Sequence, residues 1–338
     1  MEINRRHFVG GAASAALAGC GSMQVAQAPA ASAVGRSTAN QPMQRRLTYA
    51  TIGTDAGWGL GVRTGNGVLD ATAAERALHL GVPTTIEAVV RQEGDLAALA
   101  RLAGMAGTDA ARFVVPESAV RFGPVMPGPP KIMCIGLNYR AHVAEANQQI
   151  PTTPIFFNKF TSSMNSHNGV IRLSTEATKA FDYEAEMVVV IGRGGRNISE
   201  ADALDHVLGY AVGQDFSARD VQMATSQWMM GKAGDGWGPV GPWLVGADLV
   251  DAQNLDIECR VNGEVRQSSN TSRMIFNVRQ QIAFLSRHLT LQAGDVIFTG
   301  TPEGVIAGYP KDKQVWLKPG DRITTTIQGL GVQEIRLV

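Results

Sequence analysis

The chain has 338 residues, enough for about two ordinary domains, and its 44% hydrophobic and 18% charged residues exclude disordered, collagen-like and coiled-coil proteins. Its 38 glycines exceed the usual share of ~7% and favour a fold with many turns over a helical bundle. Thirty basic residues balance thirty acidic ones, which excludes a bulk field that recruits nucleic acid or anionic lipid, and three cysteines are too few for a disulfide framework.

Residues 1–28 have the pattern of an export signal. Arg5 and Arg6 precede an apolar run over residues 9–18, which is too short for a membrane span of about 20 residues and is typical of a signal peptide. The paired arginines resemble the twin-arginine signal. Cleavage at a lipoprotein-like box would leave Cys20 lipidated, and cleavage after Ala28 is the alternative. We therefore predict a periplasmic or lipid-anchored protein with a linker over 29–44.

Residues 45–123 have the pattern of a small α+β domain. Strands are predicted over 45–49, 58–63 and 67–70, where apolar residues alternate with polar ones between glycine-rich turns. A helix is predicted over 86–92, with Thr84 or Thr85 as its cap, and another over 95–103, ending at Gly104. Four prolines within residues 124–130 predict a stiff connector to a second domain.

The second domain, residues 131–338, is richer in strands. They are predicted over 132–136, 155–158, 184–191, 208–215, 257–261, 295–299 and 323–328, with helices over about 200–207, 218–227 and 277–288. Few helices among many short strands favour a β-rich α+β fold over a doubly wound sheet. Cys134 and Cys259 lie in apolar alternating runs, which favours buried small hydrophobic residues over a disulfide or ligand role.

Glu184 and Glu186 begin one of these strands. Residues two apart on a strand share a face, so the two carboxylates project side by side from an otherwise apolar run. Two carboxylates ~4–5 Å apart repel by roughly 3–4 kcal/mol at an effective dielectric of 20, and a cation would relieve that repulsion. Hard oxygen ligands select Mg²⁺, Mn²⁺ or Ca²⁺. A solvated strand face is the alternative, and Asp182 is predicted to be exposed.

A third acid, Asp215, ends the next strand, where functional side chains are often displayed. Ser217 is predicted to cap the helix that follows. Arg219 and Asp220 are interpreted as a structural ion pair that fixes this turn.

His142 and Glu145 lie three residues apart and are therefore neighbours on one helical face. A carboxylate beside an imidazole raises its basicity and fixes its tautomer, as a water-activating base requires. A weak surface salt bridge is the alternative interpretation.

Five blocks of the second domain, occurring together, resemble the fumarylacetoacetate hydrolase family. They are Gly136-Leu137-Asn138-Tyr139 with His142 and Glu145, Asp182-Tyr183-Glu184-x-Glu186, Gln214-Asp215-Phe216-Ser217-Ala218-Arg219-Asp220, Gly231-Lys232, and Thr299-Gly300-Thr301-Pro302-x-Gly304-Val305. The resemblance runs from residue 131 to residue 338. Residues 238–243 and 270–276 resemble a bacterial branch of acylpyruvate hydrolases, hydroxymuconate-type isomerase/decarboxylases and ureidoglycolate lyases.

The resemblance implies a homodimer with a β-roll C-terminal domain, in which Mg²⁺ or Mn²⁺ is held by Glu184, Glu186 and Asp215. It also implies that His142 and Glu145 form a catalytic pair on a mobile lid. The further site residues that it implies are the active-site lysine Lys232 and the substrate-binding residues Thr301, Lys159 and Gln214.

The function implied is metal-dependent hydrolysis of a C–C bond in an acylpyruvate or 2,4-diketo acid, as in aromatic-compound catabolism. His142 would activate water, and Lys232 would stabilise the oxyanion beside a cation that stabilises the leaving enolate. The alternatives are isomerisation or decarboxylation of hydroxymuconate-type or oxaloacetate-type 2-oxo acids, a ureidoglycolate lyase-like activity, and a non-catalytic binding lipoprotein. Export departs from the cytoplasmic location that we associate with this family.

Overall fold

Strands dominate the part of the chain that the computed structural model describes, residues 42–173 and 176–338. The strands are β1 (Thr48–Thr54), β2 (Gly57–Thr64), β3 (Gly67–Asp70), β4 (Val114–Val115), β5 (Ile132–Gly136), β6 (Ile155–Lys159), β7 (Met164–Asn165), β8 (Gly169–Ile171), β9 (Phe181–Asp182), β10 (Ala185–Ile191), β11 (Val207–Gln214), β12 (Ser217–Ala218), β13 (Gly238–Pro239), β14 (Leu244–Gly246), β15 (Asp256–Val261), β16 (Glu264–Asn270), β17 (Val296–Phe298), β18 (Arg322–Ile327) and β19 (Gly331–Leu337). The α-helices are α1 (Ala71–Leu78), α2 (Ile86–Val90), α3 (Leu96–Gly104), α4 (Arg140–Glu145), α5 (Arg219–Gln222) and α6 (Val278–His288).

Side-chain caps start several of these helices. The Thr85 hydroxyl accepts the Ala88 N–H at the start of α2, and the Asp95 carboxylate accepts the Ala98 N–H at the start of α3. Each cap satisfies a backbone donor that the first helical turn leaves without a partner. The predicted starts of both helices are confirmed.

A ten-stranded sheet, in the order β4-β3-β2-β1-β14-β11-β10-β17-β5-β6, joins the N-terminal strands to those of the second half. The connection is the antiparallel pair β1–β14, where Thr48 lies opposite Val245. All pairs in this sheet are antiparallel except β17–β5. The predicted boundary between residues 123 and 131 stays a prediction, and one sheet runs across it.

A five-stranded sheet, β16-β15-β18-β19-β8, packs on one face of this large sheet, with β10 against β15 and β11 against β18 and β19. Alternate residues of β10 therefore enter different cores. Met187 and Val189 belong to the cluster between the two sheets, whereas Val188 and Val190 pack with the cluster that includes residues of α2 and α3. Because both faces are covered, β10 is apolar along nearly its whole length.

The predicted β-rich α+β class is confirmed, but several predicted bounds are wrong. The first strand begins at Thr48 rather than residue 45, and the helix predicted over 200–207 is one 3₁₀ turn, Ala203–His206. The helix predicted over 218–227 is limited to α5. The helix α1, in which four of the eight residues are alanines, was not predicted. Cys134 and Cys259 are buried and free, as predicted.

Within residues 42–173 and 176–338, no helix combines the length and the apolar character needed to cross a bilayer. The predicted export signal, its cleavage sites at Cys20 and Ala28, and most of the linker lie outside the described residues.

Candidate active site

Three carboxylates converge where β10 begins and β11 ends. The antiparallel register places Ala185 opposite Gln214, so Glu184 and Glu186 at the start of one strand meet Asp215 just beyond the end of the other. One oxygen from each of the three lies within 4.8 Å of the others, and all three side chains are buried. The structure thus brings together the three acids that the sequence singled out.

Cations surround this carboxylate cluster unevenly. Lys232 Nζ lies 2.6 Å from Glu184 and 3.2 Å from Asp215, and Lys159 Nζ lies 2.5 Å from Asp215. Arg219 lies 2.7 Å from Glu184. Glu186 is different: it has no ion-pair partner among the described residues, and its Oε2 accepts a hydrogen bond from the Gly300 N–H at 2.6 Å.

The pKa shifts of the carboxylates follow the uneven distribution of the cationic side chains around them. Burial alone would raise the pKa of Glu184, but Lys232 and Arg219 outweigh it and lower that pKa to about 2. Burial, together with the neighbouring charges of Asp215 and Glu184, raises the pKa of Glu186 well above its usual range. Burial alone would lower the pKa of Lys232, but the negative charges of Asp215 and Glu184 outweigh it and raise that pKa. Glu186 is therefore the acid whose charge the protein itself leaves uncompensated.

This arrangement fits a divalent cation. The cluster and its neighbour Asp182 supply four carboxylates, against the three cations of Lys159, Arg219 and Lys232. A buried charge without a partner is costly. Three hard oxygen donors gathered within 4.8 Å are the ligands that Mg²⁺, Mn²⁺ and Ca²⁺ prefer, and such an ion would compensate Glu186.

The second constellation lies on α4. His142 Nδ1 is 2.7 Å from Glu145 Oε1, and the Gly304 N–H donates to Glu145 Oε2 at 2.8 Å. His142 is buried and Glu145 is partly buried, so the pair differs from the exposed surface salt bridge that the sequence left as an alternative.

A cavity of about 430 Å³ connects the two constellations. Its polar end contains His142, Glu184, Glu186, Lys232 and Thr301. The remaining wall is mostly apolar or neutral and includes Leu137, Phe157, Gln148, Gln222, Met223 and Trp228. Such a space suits a small molecule with a polar head at the end that holds the carboxylates, where a bound cation would face it, and with a tail along the aromatic wall.

Two predicted substrate-binding residues lie behind the carboxylates rather than in the cavity wall. Gln214 is fully buried, and its amide bonds to the Glu184 N–H and to the Thr325 hydroxyl. Lys159 is also buried and donates to the Lys232 carbonyl oxygen and to Asp215. In the structure both residues support the carboxylate cluster, and their contact with substrate stays a prediction. Thr301 does line the cavity, with its hydroxyl accepting from Gln267 Nε2 at 2.8 Å.

The turn after Asp215 differs from the sequence prediction. Asp182 was expected to be exposed, yet it is completely buried and pairs with Arg219 at 2.9 Å. Arg219 is thus not the partner of Asp220, whose carboxylate instead accepts from the Thr178 hydroxyl and the Lys179 N–H. Ser217 does not cap α5, since its hydroxyl donates to the Asp215 carbonyl oxygen. Chain reversal between β9 and β12, which pair, brings Arg219 back onto Asp182.

Asn138 belongs to the first family-like block, but the sequence predicts no role for it. Its side-chain amide donates to the carbonyl oxygens of Thr299 and Phe276, and its Oδ1 accepts the Phe276 N–H. It thereby fixes the strand end beside Gly300, whose N–H reaches Glu186. Leu137 precedes it at a positive φ of 54°, a conformation rare for a side chain of this size. The only sequence signal for this role is the position of Asn138 in the first family-like block.

Known proteins share this fold. The family described as fumarylacetoacetate (FAA) hydrolase C-terminal matches residues 131–338. The mitochondrial oxaloacetate tautomerase fahd2 of Xenopus laevis is 39% identical over 276 residues, covering 81% of this chain and 83% of that protein.

Two solved structures extend the similarity. A putative HpcE protein of Mycobacterium smegmatis superposes with a TM-score of 0.71 and 34% identity, over 86% of this chain and 99% of that one. Fumarylpyruvate hydrolase of Pseudomonas aeruginosa, solved with Mn²⁺ and pyruvate, superposes with a TM-score of 0.57 and 33% identity, over 64% and 91% of the two chains. The chain described here belongs to the fumarylacetoacetate hydrolase family, whose members are enzymes.

Proposed function

We propose that the protein is a divalent-cation-dependent enzyme that interconverts the keto and enol forms of an oxaloacetate-type 2-oxo acid. The observation that carries the proposal is the shared cavity, into which His142 and the carboxylates of Glu184 and Glu186 all open. Enolisation needs a base at carbon and positive charge at the keto oxygen, and little else. The similarity to the Xenopus laevis oxaloacetate tautomerase supports this reaction over the hydrolysis that the sequence analysis put first.

Glu184, Glu186 and Asp215 would hold Mg²⁺ or Mn²⁺, or Ca²⁺ as a third hard cation. When bound, such an ion supplies a Lewis acid that stabilises negative charge on the keto oxygen. Lys232 adds a second positive charge at the same end of the cavity, because it lies beside both Glu184 and Asp215.

His142 moves the proton. A carboxylate can only accept hydrogen bonds, so Nδ1 of His142 donates its hydrogen to Glu145, and Nε2 carries the free lone pair. Nε2 takes the proton from the carbon next to the keto group, and the electron pair of that C–H bond forms the C=C bond as the keto oxygen takes up the charge. The proton then passes to that oxygen, which gives the enol. Glu145 stabilises the imidazolium between the two transfers.

Hydrolysis of an acylpyruvate is the second candidate. In that reaction His142 takes its proton from water in place of carbon. The aromatic wall formed by Phe157 and Trp228, whose ring centroids are 5.9 Å apart, offers room for an acyl tail. The 33% identity with fumarylpyruvate hydrolase of Pseudomonas aeruginosa supports this alternative.

A two-substrate comparison tests the proposal. The purified enzyme with Mg²⁺ is mixed with enol-oxaloacetate, and the loss of enol absorbance is followed. In parallel, pyruvate release from an acylpyruvate is followed by a coupled dehydrogenase. We expect the kcat/KM for tautomerisation to exceed that for hydrolysis by at least about tenfold, since enolisation needs no second nucleophile in the cavity.

Pyruvate release without faster enol loss would assign hydrolysis instead. If neither reaction is faster than with Mg²⁺ alone, both proposals fail and the non-catalytic binding lipoprotein becomes the better interpretation. The matched control is Glu258→Gln, which changes a carboxylate of β15 that pairs with Arg260 and does not line the cavity.

We also propose that residues 1–28 direct export and that the enzyme works outside the cytoplasm as a homodimer. Arg5, Arg6 and the apolar run after them support export. A fusion of residues 1–44 to a folded reporter is expected beyond the inner membrane, and replacing both arginines with lysine should retain it in the cytoplasm. Identical fractionation of the two fusions would disprove the export signal.

A further inference from the structure

The segment 303–308, here called the Gly304 segment, contacts Glu145 at two points. The Gly304 N–H donates to Glu145 Oε2 at 2.8 Å. Gly308 approaches so closely that a Cβ there would lie 2.5 Å from the carboxyl carbon of Glu145. Gly304 itself has a φ of +100°, and a Cβ on it would lie 2.1 Å from the Arg266 carbonyl oxygen, so this position requires glycine. Where the segment lies therefore determines where Glu145 lies.

Two consecutive buried residues hold the Gly304 segment in place. The Tyr183 hydroxyl donates to the Gly304 carbonyl oxygen at 2.7 Å. The Asp182 carboxylate accepts the N–H groups of Ile306 and Ala307 at 2.9 and 3.0 Å. The residue that follows them, Glu184, belongs to the carboxylate cluster. One short stretch of chain thus connects the candidate metal site to the Gly304 segment, which contacts Glu145.

We propose that Tyr183 is a positioning residue for the catalytic pair: its hydroxyl holds Gly304 so that the Gly304 N–H reaches Glu145. The path is continuous, from the Tyr183 hydroxyl to the Gly304 carbonyl, from the Gly304 N–H to Glu145 Oε2, and from Glu145 Oε1 to His142. Tyr183 does not line the catalytic cavity, so it acts through these bonds rather than by touching substrate. The kinetic part of this inference rests on the proposed function.

The physical reason is the number of contacts that orient Glu145. Within residues 42–173 and 176–338, its two carboxylate oxygens have one hydrogen-bond partner each, His142 and Gly304. If Gly304 moves, Oε2 loses its partner and the carboxylate is free to rotate away from the imidazole. Small displacements of a catalytic group change the rate strongly, because the barrier depends on geometry.

The test is Tyr183→Phe, with Tyr49→Phe as the matched control. Tyr49 is also buried and donates its hydroxyl to a backbone carbonyl, that of Gln44, at the same distance of 2.7 Å, but it lies on β1 far along the sheet. The two variants lose the same kind of bond and are expected to lose similar thermal stability. Tyr183→Phe should lower kcat about three- to tenfold with KM unchanged, whereas Tyr49→Phe should leave both constants unchanged.

A readout that needs no turnover separates this proposal from the proposed function. The downfield proton resonance of the His142 Nδ1–H is assigned by its absence in His142→Ala. It should shift or broaden in Tyr183→Phe and stay unchanged in Tyr49→Phe, whatever the substrate of the enzyme is. Gly308→Ala, whose added Cβ would press directly on the carboxyl group of Glu145, should have the same effect and serves if Tyr183→Phe folds poorly.

The kinetic effect should also depend on Glu145. In a Glu145→Ala background, Tyr183→Phe is expected to add no further loss of kcat, since the group that it positions is gone. An additive loss in the double variant would overturn the proposal. An unchanged His142 resonance in both Tyr183→Phe and Gly308→Ala would overturn it as well.

Discussion

Glu186→Gln is expected to abolish binding of Mn²⁺ or Mg²⁺ and to lower kcat by at least about a hundredfold. Glu184 and Asp215 are already compensated by Lys232, Lys159 and Arg219. Glu186 is the carboxylate of the cluster for which the described part of the chain supplies no ion-pair partner, and burial and its acidic neighbours raise its pKa. Its charge is therefore the one that a cation would compensate, and the neutral amide removes it with almost no change in shape.

The same substitution should have the opposite effect on the metal-free protein. A buried, uncompensated carboxylate destabilises the fold, so the melting temperature of Glu186→Gln in chelator is expected to exceed that of the unmodified protein. Added Mn²⁺ should raise the melting temperature of the unmodified protein, by mass action on the folded state, and leave that of the variant unchanged. Calorimetric titration with Mn²⁺ gives the affinity directly. Equal Mn²⁺ affinity in the two proteins would remove the carboxylate cluster from the mechanism.

His142→Ala is expected to lower kcat at least about a hundredfold while Mn²⁺ affinity stays unchanged. General bases contribute typically about 10²–10⁴-fold, and His142 is the imidazole that lines the cavity. His142 is not part of the carboxylate cluster, so this substitution removes the proton-transfer group and leaves the proposed cation ligands in place. Steady-state kinetics and calorimetry on the same preparation measure the two effects.

Two further variants test whether the loss of kcat is specific to His142 as the base. His288→Ala removes an exposed imidazole at the end of α6 and should change neither constant. Glu145→Gln should act in the same direction as His142→Ala but more mildly, because Glu145 orients the imidazole without contacting substrate. A His142→Ala enzyme with near-normal kcat would show that another group moves the proton.

Much of the site could be predicted because its chemistry is local in the chain. Glu184 and Glu186 are two residues apart on a strand, which fixes their common face. His142 and Glu145 are three apart on a helix, which makes them neighbours. The strands themselves could be predicted from apolar runs, with β10 as the example, since burial on both faces demands such a run.

Other features depended on contacts between distant parts of the chain. Asp182 looked like an exposed acid at a strand start, and Arg219 looked like the partner of the adjacent Asp220. Chain reversal between β9 and β12 instead places Arg219 between Asp182 and Glu184. A charged side chain chooses its partner by distance in space, and a sequence shows only distance along the chain.

By itself, then, the sequence determined which side chains can bind a cation and move a proton, because these pairs are set by the repeat of a strand or a helix. Only the tertiary structure decided which of the carboxylates has a negative charge that no neighbouring cationic side chain compensates. Among the described residues Glu186 has no ion-pair partner, because Lys159, Lys232 and Arg219, from three separate segments, all converge on its neighbours. The contact of Gly304 with both Tyr183 and Glu145 likewise joins residues more than a hundred positions apart. Such convergence follows from packing, which local periodicity does not encode.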